Sequence, residues 1–218
     1  CIPVDGIIAK KPTKLSHAES AALFFGGHTA LHFLRKGNIQ SGDKNKSVLI
    51  YGASGCVGTY AVQLAKYFGA ECTAVCSTRN IELVQSLGAD HVIDYKKEDF
   101  TKNQKTYDII FDTVGKSSFS GCIRSLNTNG YYLRSVHLYL IPMIRGIWIS
   151  MMSSKKVIGG VAHEKVEDLH FLKKLVEDGH VRPIIDMNFP LAHIVEAHKY
   201  VDSGHKRGSV VITIDHTD

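Results

Sequence analysis

The segment Leu49–Gly69, LIYGASGCVGTYAVQLAKYFG, constrains this chain more than any other. An apolar run, Ser47–Tyr51, enters Gly52-Ala53-Ser54-Gly55-Cys56-Val57-Gly58. It leaves with helical spacing: apolar residues recur at Val57, Ala61, Val62, Leu64, Ala65 and Phe68 before Gly69 stops the run. A buried strand that turns on glycine into a helix is the opening unit of a doubly wound α/β sheet. Gly52 lets the chain turn sharply off the strand, Gly55 has no Cβ to keep a pyrophosphate from the backbone, and Gly58 lets helix pack closely on strand. The N–H groups of the first helical turn, at the positive end of the helix dipole, then hold the phosphates. The spacing is GxxGxxG rather than GxGxxG, so the strand–turn–helix setting carries as much weight as the glycines. A glycine-rich turn that binds nothing is the competing reading.

The same alternation continues down the chain. Strands are expected at Cys72–Cys76, His91–Asp94, Tyr107–Val114, Tyr131–Val136 and Lys156–Val161, with helices at Asn80–Leu87 and Ser117–Leu126 between them. Short strands alternating with helices predict βαβ units, a parallel sheet and right-handed crossovers. The ends differ. Residues 1–14 read as a strand piece and a loop, and Ser16 with Glu19 forms a capping box that opens a helix over Ala18–Leu34, interrupted at Gly26-Gly27. Beyond the sheet come an amphipathic helix Val166–Glu177, a short Pro183–Pro190 segment, a helix Ala192–Ser203 and a last strand Ser209–Ile214.

In dinucleotide folds an acid about 20 residues past the glycines takes the ribose hydroxyls of NAD. Here that stretch is Cys76-Ser77-Thr78-Arg79-Asn80, with no acid until Glu82. Hydroxyls and an arginine suit a 2′-phosphate, because guanidinium pairs with phosphate through two N–H groups. NADP(H) is therefore expected over NAD(H), with a solvated cation at Arg79 as the alternative.

Other features mostly exclude. The net charge of +5 is small and the basic residues are scattered, so no nucleic-acid partner is expected. The longest apolar stretch, Leu138–Met152, is broken by Pro142, Arg145 and Gly146 and is shorter than the ~20 residues of a membrane span. No membrane partner is expected, and the stretch reads as a buried or interface-forming helix. Five cysteines, at 1, 56, 72, 76 and 122, form no CxxC, and Cys72 and Cys76 on one strand would stand roughly 13 Å apart, too far for a disulfide. Reduced thiols point to a cytoplasmic protein. His28 and His32 are four apart, but Thr29 stands where HExxH has its Glu, so they read as ordinary surface or cap histidines and no metal is expected. Asp112, at a strand end, reads as support for the neighbouring loop, and no side chain is singled out as a catalytic acid or base.

Taken in order, several stretches resemble the medium-chain dehydrogenase/reductase superfamily, in its quinone-oxidoreductase-like and NAD(P)-dependent alcohol-dehydrogenase-like branch. They are Ala21–Leu34, the glycine turn, Ser86–Tyr95 (SLGADHVIDY), Asp108–Gly115 (DIIFDTVG), Gly179–Pro190 and Ala197–Ile212. The resemblance implies a Rossmann domain carrying remnants of a GroES-like catalytic domain at both ends. It divides the chain into a remnant at 1–27, an NADP-binding domain at 28–165 and a return segment at 166–218. Thr29 would lie by the nicotinamide, with Ser135 and Val136 offering backbone contacts to that half of the cofactor. Ser54, Gly55, Cys56 and Val57 would hold the pyrophosphate, Ser77 and Arg79 the 2′-phosphate, and Tyr95 the adenosine side. In relatives a lysine often follows the final glycine, where this chain has Ser209 after Gly208.

The implied chemistry is hydride transfer to or from a small-molecule quinone, enone, aldehyde or alcohol, in a homodimer paired through the edge of the cofactor domain. The start at Cys1 reads as a truncation within a longer reductase, and the structural-zinc cysteine cluster found in the long-established alcohol dehydrogenases of the superfamily is absent. Two other classes remain open. One is an NADP(H)-binding module without turnover. The other is a methyltransferase-type domain, which would normally place an acid where Ser77-Thr78-Arg79 stand.

Overall fold

The computed structural model describes residues 8–42, 44–136, 146, 148–163 and 165–214. Helix α1 (His17–Lys36) leads into β1 (Ser47–Tyr51), α2 (Cys56–Tyr67), β2 (Glu71–Cys76), α3 (Ile81–Ser86) and β3 (His91–Asp94). Then come β4 (Tyr107–Asp112), α4 (Phe119–Arg124), β5 (Leu126–Arg134), β6 (Lys156–Gly159), α5 (Val166–Glu177), β7 (Ile185–Pro190), α6 (Ile194–Asp202) and β8 (Ser209–Thr213). Strands β1 to β6 make one parallel sheet in the order β3-β2-β1-β4-β5-β6. This is the doubly wound order, which reverses direction between β1 and β4. Strands β7 and β8 form a separate parallel pair.

Strand β1 shows why a parallel sheet reads as an unbroken apolar run. Val48 and Ile50 join the core beneath α1 and α2, while Leu49 joins the opposite layer with Val75, Ile110 and Tyr132. All three β1 residues are fully buried. Each such side chain contributes about 1.5–3 kcal/mol relative to leaving it in water, and the sheet has no polar face to spare.

Helix α1 corrects the expected interruption at Gly26-Gly27: it is continuous from His17 to Lys36. A Cβ at Gly26 would lie 2.6 Å from the Cys56 carbonyl oxygen and 2.8 Å from the Tyr60 ring. Glycine here permits a close crossing of two helices and does not end one, even though it costs about 1 kcal/mol relative to Ala in a helix interior. The 27/28 division therefore falls within one helix. The capping box is present as expected: Glu19 N donates to Ser16 Oγ at 3.2 Å, and Ser16 N to Glu19 Oε2 at 2.8 Å.

Of the expected strand piece in 1–14, residues 1–7 lie outside the described residues, and 8–14 contain no strand. Of Leu138–Met152, residues 138–145 and 147 lie outside them, and 148–152 are helical. Trp148, Met151 and Met152 on that turn are 67%, 78% and 71% exposed, so they contribute to a surface and not to the core.

His28 is not a surface residue. It is buried against Phe24, with Nε2 3.7 Å from Asp168 Oδ2, and Arg35 also pairs with Asp168. One turn on, His32 faces the His163 ring at 6.0 Å between centroids. Burial, followed by the charges of Lys36, His28 and His163, holds the His32 pKa below its ordinary value, while Asp168 acts in the opposite direction. The unfolded chain thus binds a proton at His32 at a pH where the folded chain does not. The resulting stability is present above the ordinary histidine value of about 6.5 and is lost as pH falls through the lowered folded value. Urea unfolding at pH 7.5 and 5.5 is expected to show a smaller pH-dependent loss for His32→Gln than for the parent chain; equal losses would remove His32 from the account.

Candidate functional site

The carboxyl ends of the strands form one edge, and the glycine turn, Ser77, Arg79, Tyr95, Ser135 and Val136 follow β1, β2, β3 and β5 there. Gly52 has φ of +82°, and a Cβ there would lie 2.3 Å from Val114 Cγ2 and 2.7 Å from Thr113 Oγ1. The β1 turn is therefore pressed against the β4 turn at the switch point, where open α/β sheets bind ligands. Gly52 N and Ala53 N both donate to the Val75 carbonyl, which ties the same turn to β2. A Cβ at Gly58 would lie 2.1 Å from the Gly52 oxygen and 2.7 Å from Ala53 Cα, so only glycine lets α2 start this close to β1. Gly55 differs: among the described residues, its chain neighbours aside, the nearest atom to the place of its Cβ is the Gly52 oxygen at 3.4 Å. Its bareness is not required by the protein's own packing and leaves a backbone that a ligand can approach.

Gly55 is the N-cap of α2, without a side-chain cap and with no acid in the first turn. Cys56, Val57 and Gly58 therefore present first-turn N–H groups, which have no intrahelical acceptor, at the positive helix end. This cradle fits a phosphate-bearing ligand. Cys56 Sγ lies 3.3 Å from Ser209 Oγ on β8.

At the end of β2, Ser77 is nearly buried and Arg79 is exposed. An Arg79 Nη2 hydrogen bond to the His205 carbonyl anchors the side chain. Tyr95, just past β3, is 53% exposed, and its N–H donates to the Cys76 carbonyl. Ser135 and Val136 follow β5, with Ser135 N donating to the Asp112 carbonyl and the Val136 carbonyl packed beside Gly115. Thr29 is partly buried on α1, three residues past the Gly26 that abuts Cys56.

Asp112 acts as the sequence suggests. It is fully buried and accepts from Val114 N at 2.9 Å, Gly115 N at 2.7 Å and the Ser117 hydroxyl, which fixes the β4 turn that backs Gly52. Burial pushes the Cys72, Cys76 and Cys122 thiols up to about 12, 11 and 11. They stay protonated at neutral pH and are poor nucleophiles.

Two contributors escape sequence reading. The loop 205–208 returns from the far end of the chain, and Gly208 N donates to the Ser54 carbonyl at 2.8 Å while Gly208 bridges to Gly55. Asn80, buried, links Ser54 to Ser77. The only local signal for either was the Gly208 that breaks HKRGS; nothing near Asn80 announces its partners.

A six-stranded doubly wound sheet with a bare glycine turn at its switch point defines a nucleotide-binding α/β domain. The zinc-binding dehydrogenase family matches residues 87–212. The human mitochondrial NAD(P)H oxidoreductase RTN4IP1 is 36% identical over 95% of this chain and 58% of its own length. The chloroplast envelope quinone oxidoreductase homolog of Arabidopsis thaliana is 33% identical over 97% and 66%. Among solved structures, the quinone oxidoreductase from Coxiella burnetii superposes with a TM-score of 0.85 at 31% identity, covering 95% of this chain and 64% of that one. The chain belongs to the medium-chain dehydrogenase/reductase superfamily, in its quinone-oxidoreductase-like branch.

The chain spans about three fifths of the length of the mitochondrial relatives it matches. The family's name refers to zinc, but among the described residues no group of three His, Cys, Asp or Glu side chains is placed to hold a metal, so no zinc chemistry is derived for them. No helix among them is long and apolar enough to cross a membrane. The cytoplasmic expectation is corrected by the relatives, whose names place them in mitochondria and chloroplasts and point to an organelle.

Proposed function

We propose that this chain is the NADP(H)-holding part of a reductase that passes hydride between the cofactor and a small quinone, enone, aldehyde or alcohol. The observation that carries the reading is the bare Gly55 backbone at the α2 N-terminus, in line with the ends of β2, β3 and β5. Residues 28–165 would form the cofactor domain, with 1–27 and 166–218 belonging to the catalytic side. Ser54 to Val57 hold the pyrophosphate, Gly52 and Gly58 shape its turn, and Tyr95 flanks the adenosine. Thr29, Ser135 and Val136 orient the nicotinamide. When bound, the nicotinamide supplies the hydride chemistry, and the protein orients the ring and keeps water out.

Preference for the 2′-phosphate is supported by Ser77 and Arg79 at the end of β2, where an NAD site has an acid. Self-pairing is supported by Trp148, Met151 and Met152, exposed beside β6, the last strand of the sheet. Sedimentation at several concentrations tests it.

Fluorescence titration is expected to show saturable NADPH binding, tighter than NADH. NADPH oxidation by a soluble quinone then separates turnover from mere binding. Binding of S-adenosylmethionine with none of NADPH would overturn the reading. NADPH binding without oxidation would favour a binding module.

A further inference from the structure

Asn80 closes the 3-10 turn Thr78–Asn80 and is the N-cap of α3, yet its side chain makes no cap hydrogen bond. Asparagine is among the residues favoured for that position because it can satisfy a helix-end N–H. Here the amide is turned away from its helix and is 5% exposed. Its Nδ2 lies 2.8 Å from Ser54 Oγ and 3.2 Å from Ser77 Oγ. One amide thus reaches both serines, one on the β1 turn and one on the β2 turn.

A hydroxyl has one proton to give and two lone pairs to receive. Each serine oxygen receives an N–H from Asn80, which leaves each serine proton for some other acceptor. Among the described residues neither hydroxyl donates to a protein acceptor. Asn80 Oδ1, the atom that could have captured those protons, is itself buried without a partner. Two donors lie at the places where the cofactor reading puts phosphate groups, and the amide oxygen faces neither of them.

We infer that Asn80 is a positioning residue that sets Ser54 and Ser77 as a pair of outward O–H donors, Ser54 to the pyrophosphate and Ser77 to the 2′-phosphate. The inference rests on the NADP(H) reading and deepens it. Accepting a hydrogen bond also polarises a hydroxyl and strengthens it as a donor. An acceptor at position 80 would reverse the arrangement by drawing both protons inward.

The test is calorimetric titration of the full 218-residue chain with 2′,5′-ADP and with 5′-ADP. Asn80→Asp keeps the shape and replaces donors by acceptors. It is expected to weaken 2′,5′-ADP about 30-fold, the loss typical of hydrogen bonds to charged groups. Asn80→Ala, also expected to weaken it, guards against an aspartate variant that fails to fold. In a Ser54→Ala/Ser77→Ala background Asn80→Ala is expected to add no further loss, because its route to the ligand is gone. A purely structural role would add the same loss in both backgrounds. If the parent chain binds neither probe, the cofactor reading fails and takes this inference with it. If the parent binds and Asn80→Asp and Asn80→Ala bind equally well, or the loss persists without the serines, the inference fails and the cofactor reading stands.

Discussion

Gly58→Ala is expected to destabilise the chain by about 3 kcal/mol, the upper part of the range for overpacked sites. It should lower the melting temperature by roughly 6–12 °C in a domain of this size. The new Cβ would meet the Gly52 oxygen at 2.1 Å and the Ala53 Cα and carbonyl carbon at 2.7 and 2.8 Å. All three are backbone atoms, and no rotamer change can move them aside. Relief requires α2 to lift off β1, which opens the layer in which Tyr60, Ala61 and Leu64 bury against Val48 and Ile50.

Gly55→Ala is the informative companion. With the Gly52 oxygen at 3.4 Å the nearest atom among the described residues beyond its chain neighbours, there is room for that methyl group, and stability should change by about 1 kcal/mol or less, the scale of an N-cap replacement. The methyl instead occupies the approach to the first-turn N–H groups, so NADPH binding should be lost from a folded protein. Scanning calorimetry paired with NADPH titration distinguishes the two glycines. If Gly58→Ala melts like the parent, or Gly55→Ala binds NADPH like the parent, the division of labour assigned to the turn is wrong.

Arg79→Glu is expected to weaken NADPH about 100-fold, while NADH changes by about threefold or less. The Arg79 side chain is exposed at the end of β2 and gives one of its N–H groups to the His205 carbonyl. Among the described residues that contact engages one of its five donors and leaves the others in a planar arrangement that matches two phosphate oxygens. Reversing the charge removes the donors and adds a repulsion felt only by the phosphorylated cofactor. The comparison belongs at one fixed ionic strength, since an exposed pair is screened over about 8–10 Å. Equal losses for NADPH and NADH would remove the 2′-phosphate from Arg79.

Much of the fold was legible where an apolar run sits between glycines. Strands Ser47–Tyr51 and His91–Asp94 and helix Val166–Glu177 have the bounds expected of them. Helix α1 was misjudged because glycine is read locally as a breaker, and only the Cys56 carbonyl, far along the chain, explains why Gly26 must lack a side chain. Strand β5 starts at Leu126, five residues earlier than the spacing suggests. Asn127-Thr128-Asn129-Gly130 has the composition of a turn, and Asn129 has φ of +63°, yet the register with β4 resumes at Tyr131 after an irregularity. In the site, the glycine turn could be read because its partners are adjacent in sequence. Asn80 and the 205–208 loop could not, because their roles come from contacts across 26 and more than 100 residues. His28 was misread for a similar reason: the Asp168 that faces it lies on α5.

The stitch between Gly208 and the turn at Ser54 and Gly55 also bears on synthesis. A ribosome releases the glycine turn together with the strand and helix that frame it, but the segment that bonds to it arrives more than 150 residues later. Contacts of such sequence separation form late and slowly. A nascent chain that has not yet released Gly208 has the turn but not its clasp. That contact therefore waits for residue 208, and a chain cut short before it would keep the glycine motif while lacking the segment that pairs with it.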